Sequence, residues 1–563
     1  MIRTAAVGAV SLTLLLAACS VDPGVEAEEA YQLDGDEPDA PPTTEPDPPP
    51  TTEPADPPPA DSTVPTPDDP DPSTALQWAP CDEPLPALTT GFECAMLDAP
   101  LDPTAPGGEQ VSLSLTRPAL DAGDDRLPLL VNPGGPGGSG VEAVWALNDY
   151  VAEILDSHYL VGWDPRGVGR SRPAIDCGGS GRRDLDECVE RTGPLMGFLS
   201  APNSAADMDG IRAALGQERL DYLGYSYGTA LGAVYAMKYP EHVGRFVLDA
   251  AIDPQAGSSV VGDYAESGFD DTIDRFHELC AAAAECVLGA DSEQVVDEVS
   301  GEINDLPTAL FPDAGRLSDI DLDTIIFGSM YDVLVWPVLA DALADASDGD
   351  ASTLAALGSF LRDGFPAPES SPLDNFDLAN FAIYCADFSD EDLGPICSGL
   401  PRNESLPAVS RLEVGVPIVV IGTLDDPATP ARHARAMADA LGDAVYVEWQ
   451  GAGHTAFPTS QCIDELVADY LADSVVPEDG TTCPFADGAT TEAEIGRFVF
   501  GYPAWWVSPI LERTLRRQGV DETVAACMAP ILATEPHRIV THLLVGVQSP
   551  VSVAASERAE HGC

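Results

Sequence analysis

Lysine is almost absent from this sequence: Lys238 stands alone among 26 basic residues, and 94 aspartates and glutamates leave a formal net charge of -68 over 563 residues. A polyanion gains no counterion release on meeting another polyanion, so nucleic-acid binding is excluded. The arginine-for-lysine swap is what high-GC codon usage produces, and a salt-adapted surface is the other reading of it. There is no Cys-x-x-Cys and no Cys/His cluster, which argues against a zinc site. No Gly-Lys-Ser/Thr ending follows the glycine-rich stretch near residue 135, so a phosphate-binding loop is not expected there. Neither a metal nor a cofactor is therefore expected. Long apolar runs are missing too, since Ala5 to Ala18 falls short of the roughly 20 residues a spanning helix needs. What remains is 44% hydrophobic and long enough for two or three average domains, so the chain folds around a full core.

The run after Arg3 has the length of a signal-peptide core and ends in Leu16-Ala17-Ala18-Cys19-Ser20. This ending resembles the lipobox of bacterial lipoproteins. It implies a signal peptide at 1–18, lipidation of Cys19, and attachment through that lipid at the extracellular face of the membrane or cell envelope, with release as a further option. An ordinary signal peptide with an incidental cysteine gives export without the anchor. From Asp22 to Pro80 there are 16 acidic residues and no basic one, and 15 prolines lie between Pro38 and Pro72. Proline holds the backbone extended and like charges repel, so 19–75 is expected as a disordered stalk, in which the proline-rich stretch from Pro38 to Pro72 reaches on the order of 100 Å at about 3.1 Å per residue.

Twelve cysteines remain beside Cys19, an even number that suits an oxidising compartment. They fall in local couples: Cys81 with Cys94, Cys177 with Cys188, Cys280 with Cys286, Cys385 with Cys397, Cys462 with Cys483, and Cys527 with Cys563. Six local disulfides are the simplest expectation, although spacing alone leaves other pairings open.

Past the stalk, short apolar segments alternate with helical ones. Strands are expected at Val111–Arg117, Leu127–Asn132, Tyr159–Trp163, Leu220–Tyr225, Arg245–Asp249, Val416–Gly422 and Ala444–Trp449, with helices at Val141–Leu155, Ala205–Leu215 and Thr229–Lys238 between the earlier ones. Strands joined through helices of this length need right-handed crossovers, hence a mostly parallel α/β sheet whose ligands bind beyond the strands' carboxyl ends. At one such end stands Gly224-Tyr225-Ser226-Tyr227-Gly228, a Gly-x-Ser-x-Gly pattern between a strand and an apolar helix, which is the setting of a nucleophile elbow. An acid follows the Val416 strand in Asp425-Asp426-Pro427-Ala428-Thr429-Pro430, and His454 follows the next strand in Gly451-Ala452-Gly453-His454-Thr455. Its rival His433 is expected on the exposed first turn of a helix.

These segments, together with Asn132-Pro133-Gly134-Gly135-Pro136-Gly137-Gly138-Ser139-Gly140 and Gly162-Trp163-Asp164-Pro165-Arg166-Gly167-Val168-Gly169-Arg170-Ser171, resemble the secreted actinobacterial α/β-hydrolases related to proline iminopeptidase and the Streptomyces tripeptidyl aminopeptidases. The resemblance spans about residues 76–483. It implies an α/β-hydrolase core at 76–253 and 413–483, a helical cap inserted at 254–412, and a small C-terminal appendage at 484–563 closed by a disulfide. It also implies a triad of Ser226, His454 and Asp426, the aspartate before x-x-Thr-Pro being preferred to its neighbour Asp425. A serine needs a base to take its proton, the base needs an acid to orient it, and the oxyanion needs two amide donors. Those donors are expected at Tyr227 and in the Gly134-Gly135 turn, Gly135 first. Asp164 and Arg166 read as loop braces, while Glu266, Asp270, Asp271 and Asp274 are cap acids able to hold a substrate amine or simply a solvated helix face. The appendage offers Phe498-Val499-Phe500 and Trp505-Trp506 as an apolar cluster and Arg513, Arg516 and Arg517 as a basic patch. The reaction implied is release of short peptides from free N-termini through an acyl-enzyme; a carboxylesterase or lipase uses the same triad, and a non-catalytic binding lipoprotein is the alternative of another class.

Overall fold

The computed structural model describes residues 76–81, 91–178, 185–252, 258–306, 319–363, 375–388, 399–401, 406–409, 411–501, 522–533, 537–544 and 550–563, with single positions between. The expected signal peptide, Cys19, the stalk, the side chain of Glu266, Trp505-Trp506, Arg513, Arg516 and Arg517 lie outside the described residues.

Ten strands form one sheet among the described residues: β1 Ala79–Pro80, β2 Phe92–Pro100, β3 Gln110–Pro118, β4 Leu127–Asn132, β5 His158–Trp163, β6 Leu220–Tyr225, β7 Val243–Asp249, β8 Ile418–Asp425, β9 Ala444–Ala452 and β10 Thr481–Cys483. Their spatial order is β1-β2-β3-β5-β4-β6-β7-β8-β9-β10. Pairing is antiparallel from β1 to β5 and parallel from β5 to β10. The inner strand β6 is buried at all six positions, whereas β2, near the antiparallel edge, alternates buried with exposed residues. Period two also sorts the inner strands: Leu130, Tyr222 and Val420 face one apolar cluster, and Leu129, Leu223 and Val419 the other. The helix Gly140–Ile154 covers the second cluster with Gln461–Asp473, and Ala201–Ala214, Tyr227–Lys238 and Ala431–Leu441 cover the first.

The chain leaves β4 for β5 on one side and returns to β6 on the other. The loops after β4 and β6 therefore meet at the carboxyl edge of the sheet, where a crevice opens in folds of this kind. That switch brings the glycine-rich loop to the serine turn.

The six cysteine couples are bridged as the local pairing expects. One bridge, Cys462–Cys483, fastens the edge strand β10 to the helix Gln461–Asp473.

Between β7 and β8 the described chain is helical: Ser258–Ala282, Ser292–Glu302, Asp319–Met330, Trp336–Ser347, Ser352–Asp363 and Phe376–Asp387. Packing divides this stretch differently from the expected cap and appendage. The first five helices share one apolar core with the C-terminal helices Glu492–Phe500, Glu522–Leu532, His537–Leu544 and Pro550–Gly562. Phe276 touches Trp336 and Phe500 edge-on at centroid distances of 5.6 and 5.9 Å, and Thr541 donates to Asp341 Oδ2 at 2.5 Å. The C-terminal part is thus no separate appendage, because its amphipathic helices bury their apolar faces in the insert. By contrast, Phe376–Asp387 puts Ala379, Ala382, Ile383 and Ala386 into the core of the hydrolase sheet.

Several carboxyl groups are enclosed by this packing. Burial pushes Asp249, Asp332 and Asp387 up to about 7 and Asp164 and Asp425 up to about 6, and it raises Asp464 well above the ordinary range.

Two expectations follow from the packing. Replacing the fully buried Phe500 with alanine removes the shared contact between insert and C-terminal helices, and should cost about 3–5 kcal/mol in urea denaturation; a cost below about 1 kcal/mol would show the extension to be an independent appendage. The raised carboxyls keep their protons when folded and release them when unfolded, so between the ordinary carboxyl range and about pH 7 the unfolded state binds fewer protons. Stability then falls as pH rises through that window. Scanning calorimetry at constant ionic strength should give a higher Tm at pH 5 than at pH 7.5, and the reverse order would contradict the buried-acid account.

Candidate active site

Ser226 follows β6 directly and caps the helix Tyr227–Lys238, with φ 52° and ψ -122°. A non-glycine residue in that region carries strain on the order of 1–3 kcal/mol, so its surroundings must hold it there. They do so through both flanking glycines. A Cβ on Gly224 would lie 2.6 Å from the Gly228 carbonyl oxygen, and one on Gly228 would lie 2.8 Å from that of Asn132. Two donors, the amide and the hydroxyl of Thr229, close on the Ser226 carbonyl at 2.9 and 2.6 Å, and Tyr222 donates to the Gly228 carbonyl at 2.8 Å. The hydroxyl-bearing residue is held at the crest of a turn and is itself buried.

The two adjacent aspartates have different surroundings. Asp426 is fully buried and meets His454 Nδ1 at 2.9 and 3.0 Å through its two oxygens. It also accepts the amides of Ala428 and Thr429, both at 2.8 Å, and the Thr429 hydroxyl at 3.0 Å. Burial works to raise its pKa, but the charge and hydrogen bond of His454 and the two amides outweigh burial and hold it below the ordinary carboxylate value. Asp425 points elsewhere, with Oδ2 3.7 Å from Arg275 Nε. His454 is fixed from above, since its amide donates to the Tyr331 carbonyl at 2.8 Å and its ring meets the Tyr331 ring edge-on at 5.2 Å. His433 lies in the first turn of Ala431–Leu441 as expected but is buried rather than exposed, because that turn packs against β8, where a Cβ on Gly422 would lie 2.8 Å from Ala434 Cβ.

One residue that sequence reasoning passed over joins the two halves. Asp249 closes β7 and accepts the Ser226 amide at its carbonyl at 3.0 Å. Its carboxylate accepts the amides of Ala456, at 3.1 and 3.0 Å, and Phe457, at 2.7 Å, from the loop that carries His454. An acid ending an otherwise apolar strand was its only signal in the sequence. Thr429 was also missed as a participant: its hydroxyl lies 3.4 Å from His454 Nδ1 as well as on Asp426.

The glycine loop lies against the serine turn. A Cβ on Gly134 would stand 2.4 Å from the Tyr225 carbonyl oxygen, 3.0 Å from Ser226 Cβ and 3.0 Å from the Tyr227 nitrogen, and Gly134 has φ 89°. Its amide donates to Asn132 Oδ1 at 3.0 Å. Gly135 is the next residue out, also at positive φ, facing Phe376. Asp164 and Arg166 are braces. Asp164 accepts Ser139 Oγ and the amides of Val141 and Arg170, while Arg166 spends its guanidinium on both oxygens of Asp207 and on the carbonyls of Leu101, Phe198 and Pro100. Arg166 has no donor left for a substrate.

Asp270, Asp271 and Asp274 are exposed, and Asp271 reaches only Arg432, at 3.9 Å. Their helix, Ser258–Ala282, crosses the acid loop closely: a Cβ on Gly268 would lie 2.6 Å from the Asp426 carbonyl oxygen. Among the described residues, no helix is long and apolar enough to cross a membrane and no group of three or more His, Cys, Asp or Glu is arranged to hold a metal.

The α/β hydrolase fold family matches residues 128–461. The chain is 31% identical over 484 residues to the serine protease Hip1 of Mycobacterium tuberculosis, covering 72% of this chain and 91% of the relative. It is 31% identical over 459 residues to carboxylesterase B of the same species, covering 69% and 86%. A tripeptidyl aminopeptidase of Streptomyces lividans is 36% identical over 203 residues, 30% of this chain and 36% of that one. The chain belongs to the α/β-hydrolase family and is a serine hydrolase of that fold.

Proposed function

We propose that Ser226, His454 and Asp426 are the catalytic triad of an exported, lipid-anchored peptidase that releases short peptides from free N-termini. The observation that carries this reading is the buried Asp426 to His454 Nδ1 contact at 2.9 Å, set beside a serine strained into the elbow conformation. With Nδ1 committed to Asp426, the other ring nitrogen of His454 is the base. It takes the Ser226 proton as Oγ bonds to the scissile carbonyl carbon, and it returns that proton to the leaving amine as the carbon–nitrogen bond breaks. Water, activated by the same nitrogen, then hydrolyses the acyl-enzyme and restores the serine.

The oxyanion donors are the amides of Tyr227 and Gly135. Tyr227 opens its helix, where amides have no intrahelical acceptor, and Gly135 is favoured over Gly134 because the Gly134 amide is committed to Asn132. Peptidase action is supported by the relatives named serine protease and tripeptidyl aminopeptidase, and ester hydrolysis on the same triad by the one named carboxylesterase B. Export is supported by the sequence up to Cys19 and by six disulfides, which persist in oxidising compartments; the lipid on Cys19 rests on the lipobox resemblance alone.

A fluorophosphonate probe should label the wild type and not Ser226→Ala, and equal labelling would remove the triad assignment. Asp426→Asn should lower kcat about 10⁴-fold, while Asp425→Asn should leave it near wild type. Free tripeptide anilides should be cleaved and N-acetylated ones spared; activity confined to short acyl esters would replace the aminopeptidase reading with the esterase one.

A further inference from the structure

The last long helix described in the insert touches the glycine loop, the loop after β5 and the serine elbow. Phe376–Asp387 follows Asn375, whose side chain accepts the Gly169 amide at 2.9 Å and donates to the Gly167 carbonyl at 2.8 Å. One turn further on, Asn380 Nδ2 donates to the Pro136 carbonyl at 2.9 Å, and a Cβ on Gly137 would lie 2.7 Å from the Asn380 nitrogen. At the far end, Asp387 Oδ2 accepts the Tyr227 hydroxyl at 2.5 Å and Oδ1 accepts the Ala201 amide at 2.8 Å. Asp387 and Tyr227 are both buried.

These bonds fall on the two sides of one gap. Pro136 is the residue after Gly135, and Tyr227 is the residue after Ser226. The amides assigned above as oxyanion donors thus sit on two chain segments with no covalent tie near the site, both pinned to the same helix. A third pin, Asn375, holds the neighbouring loop. The helix is also rooted in the sheet's own core, unlike the earlier helices of the insert, so it moves with the sheet.

The geometry points to Asn380 and Asp387 as positioning residues that set the spacing of the oxyanion hole, Asn380 fixing the glycine-loop donor through Pro136 and Asp387 fixing the elbow donor through the Tyr227 hydroxyl. This rests on the serine-hydrolase triad and oxyanion reading above. Neither side chain meets the substrate. Their contribution is made in the transition state, when charge develops on the carbonyl oxygen and a donor displaced by a fraction of an ångström loses its hydrogen bond. Removing a donor outright typically costs 10²- to 10³-fold in kcat, so loosening one should cost less, about 10-fold.

The test uses the full chain with Asn380→Ala, Tyr227→Phe, Asp387→Asn and the double variant Asn380→Ala/Tyr227→Phe. Tyr227→Phe deletes one oxygen and is the variant least able to disturb folding. Each single variant should lower kcat about 10-fold with KM unchanged, and should weaken a peptidyl trifluoromethyl ketone, which forms the tetrahedral adduct, in proportion. The double variant should lose about 10²-fold. A merely structural role predicts a lower Tm with kcat, and affinity for the ketone, at wild-type values, and that result overturns the inference; so does a rise in KM at constant kcat, which would make these side chains part of substrate binding. Failure of the underlying reading looks different: the wild type itself would then show no Ser226-dependent fluorophosphonate labelling, whatever the variants do.

Discussion

A single residue between two strands governs how this site is assembled. Asp249 ends β7, and its main chain and side chain do separate work there. Its carbonyl takes the Ser226 amide, and its carboxyl takes two amides of the loop behind His454. Next to it, the Ala250 amide donates to Ile421 in β8. The serine turn, the histidine loop and the acid-bearing strand are thereby keyed to one point, the first and third by backbone–backbone hydrogen bonds and the second by backbone amides on a buried carboxyl. Backbone keys of that kind fix position to a fraction of an ångström, which the reaction of a serine hydrolase requires.

The glycines of the serine motif have the complementary role. Gly224 and Gly228 let β6, its following helix and β4 approach more closely than any Cβ would permit, and Gly134 does the same for the loop facing Ser226. This close approach offsets the strain at Ser226, because the turn cannot relax without separating the strand and helix on either side of it. Packing that tight also explains why polar braces such as Asp164 and the Arg166–Asp207 pair are saturated with hydrogen bonds. A loop with no room to shift needs every buried polar atom paired where it stands.

Much of this was legible in the chain. The alternation of apolar strands and helices gave a mostly parallel sheet, β4 and β6 were delimited to the residue, and the serine, the histidine and the six cysteine couples stand where local spacing put them. Long-range packing was not legible. Amphipathic helices in 484–563 announced an apolar face but not its partner, so they read as an appendage when they in fact complete the core of the insert. His433 failed for the same reason, since the periodicity of Ala431–Leu441 does not say which side of the first turn meets β8. Phe376–Asp387 was read with the cap by sequence position, although its alanines pack into the sheet. Side-chain keys such as Asn375, Asn380 and Asp387 carry no local signature, because their partners lie far away in the chain.

Electrostatics separates the adjacent acids that sequence could rank only by resemblance. Burial disfavours the charged form, and Asp249, Asp332 and Asp387 accordingly hold their protons up to about 7. Asp426 is buried just as deeply and goes the other way. The difference lies in donors aimed at it: two amides, one hydroxyl and an imidazole, against one or two amide or hydroxyl donors for the others. An ionised acid in a dry site can stabilise a cation on the imidazole beside it, whereas a neutral one can only orient it. The donors aimed at Asp426 therefore outweigh its burial and keep its carboxylate ionised beside the imidazole of His454. The acidity that excludes polyanionic partners from the surface is thus compatible with a buried anion beside His454, made by local geometry and not by composition.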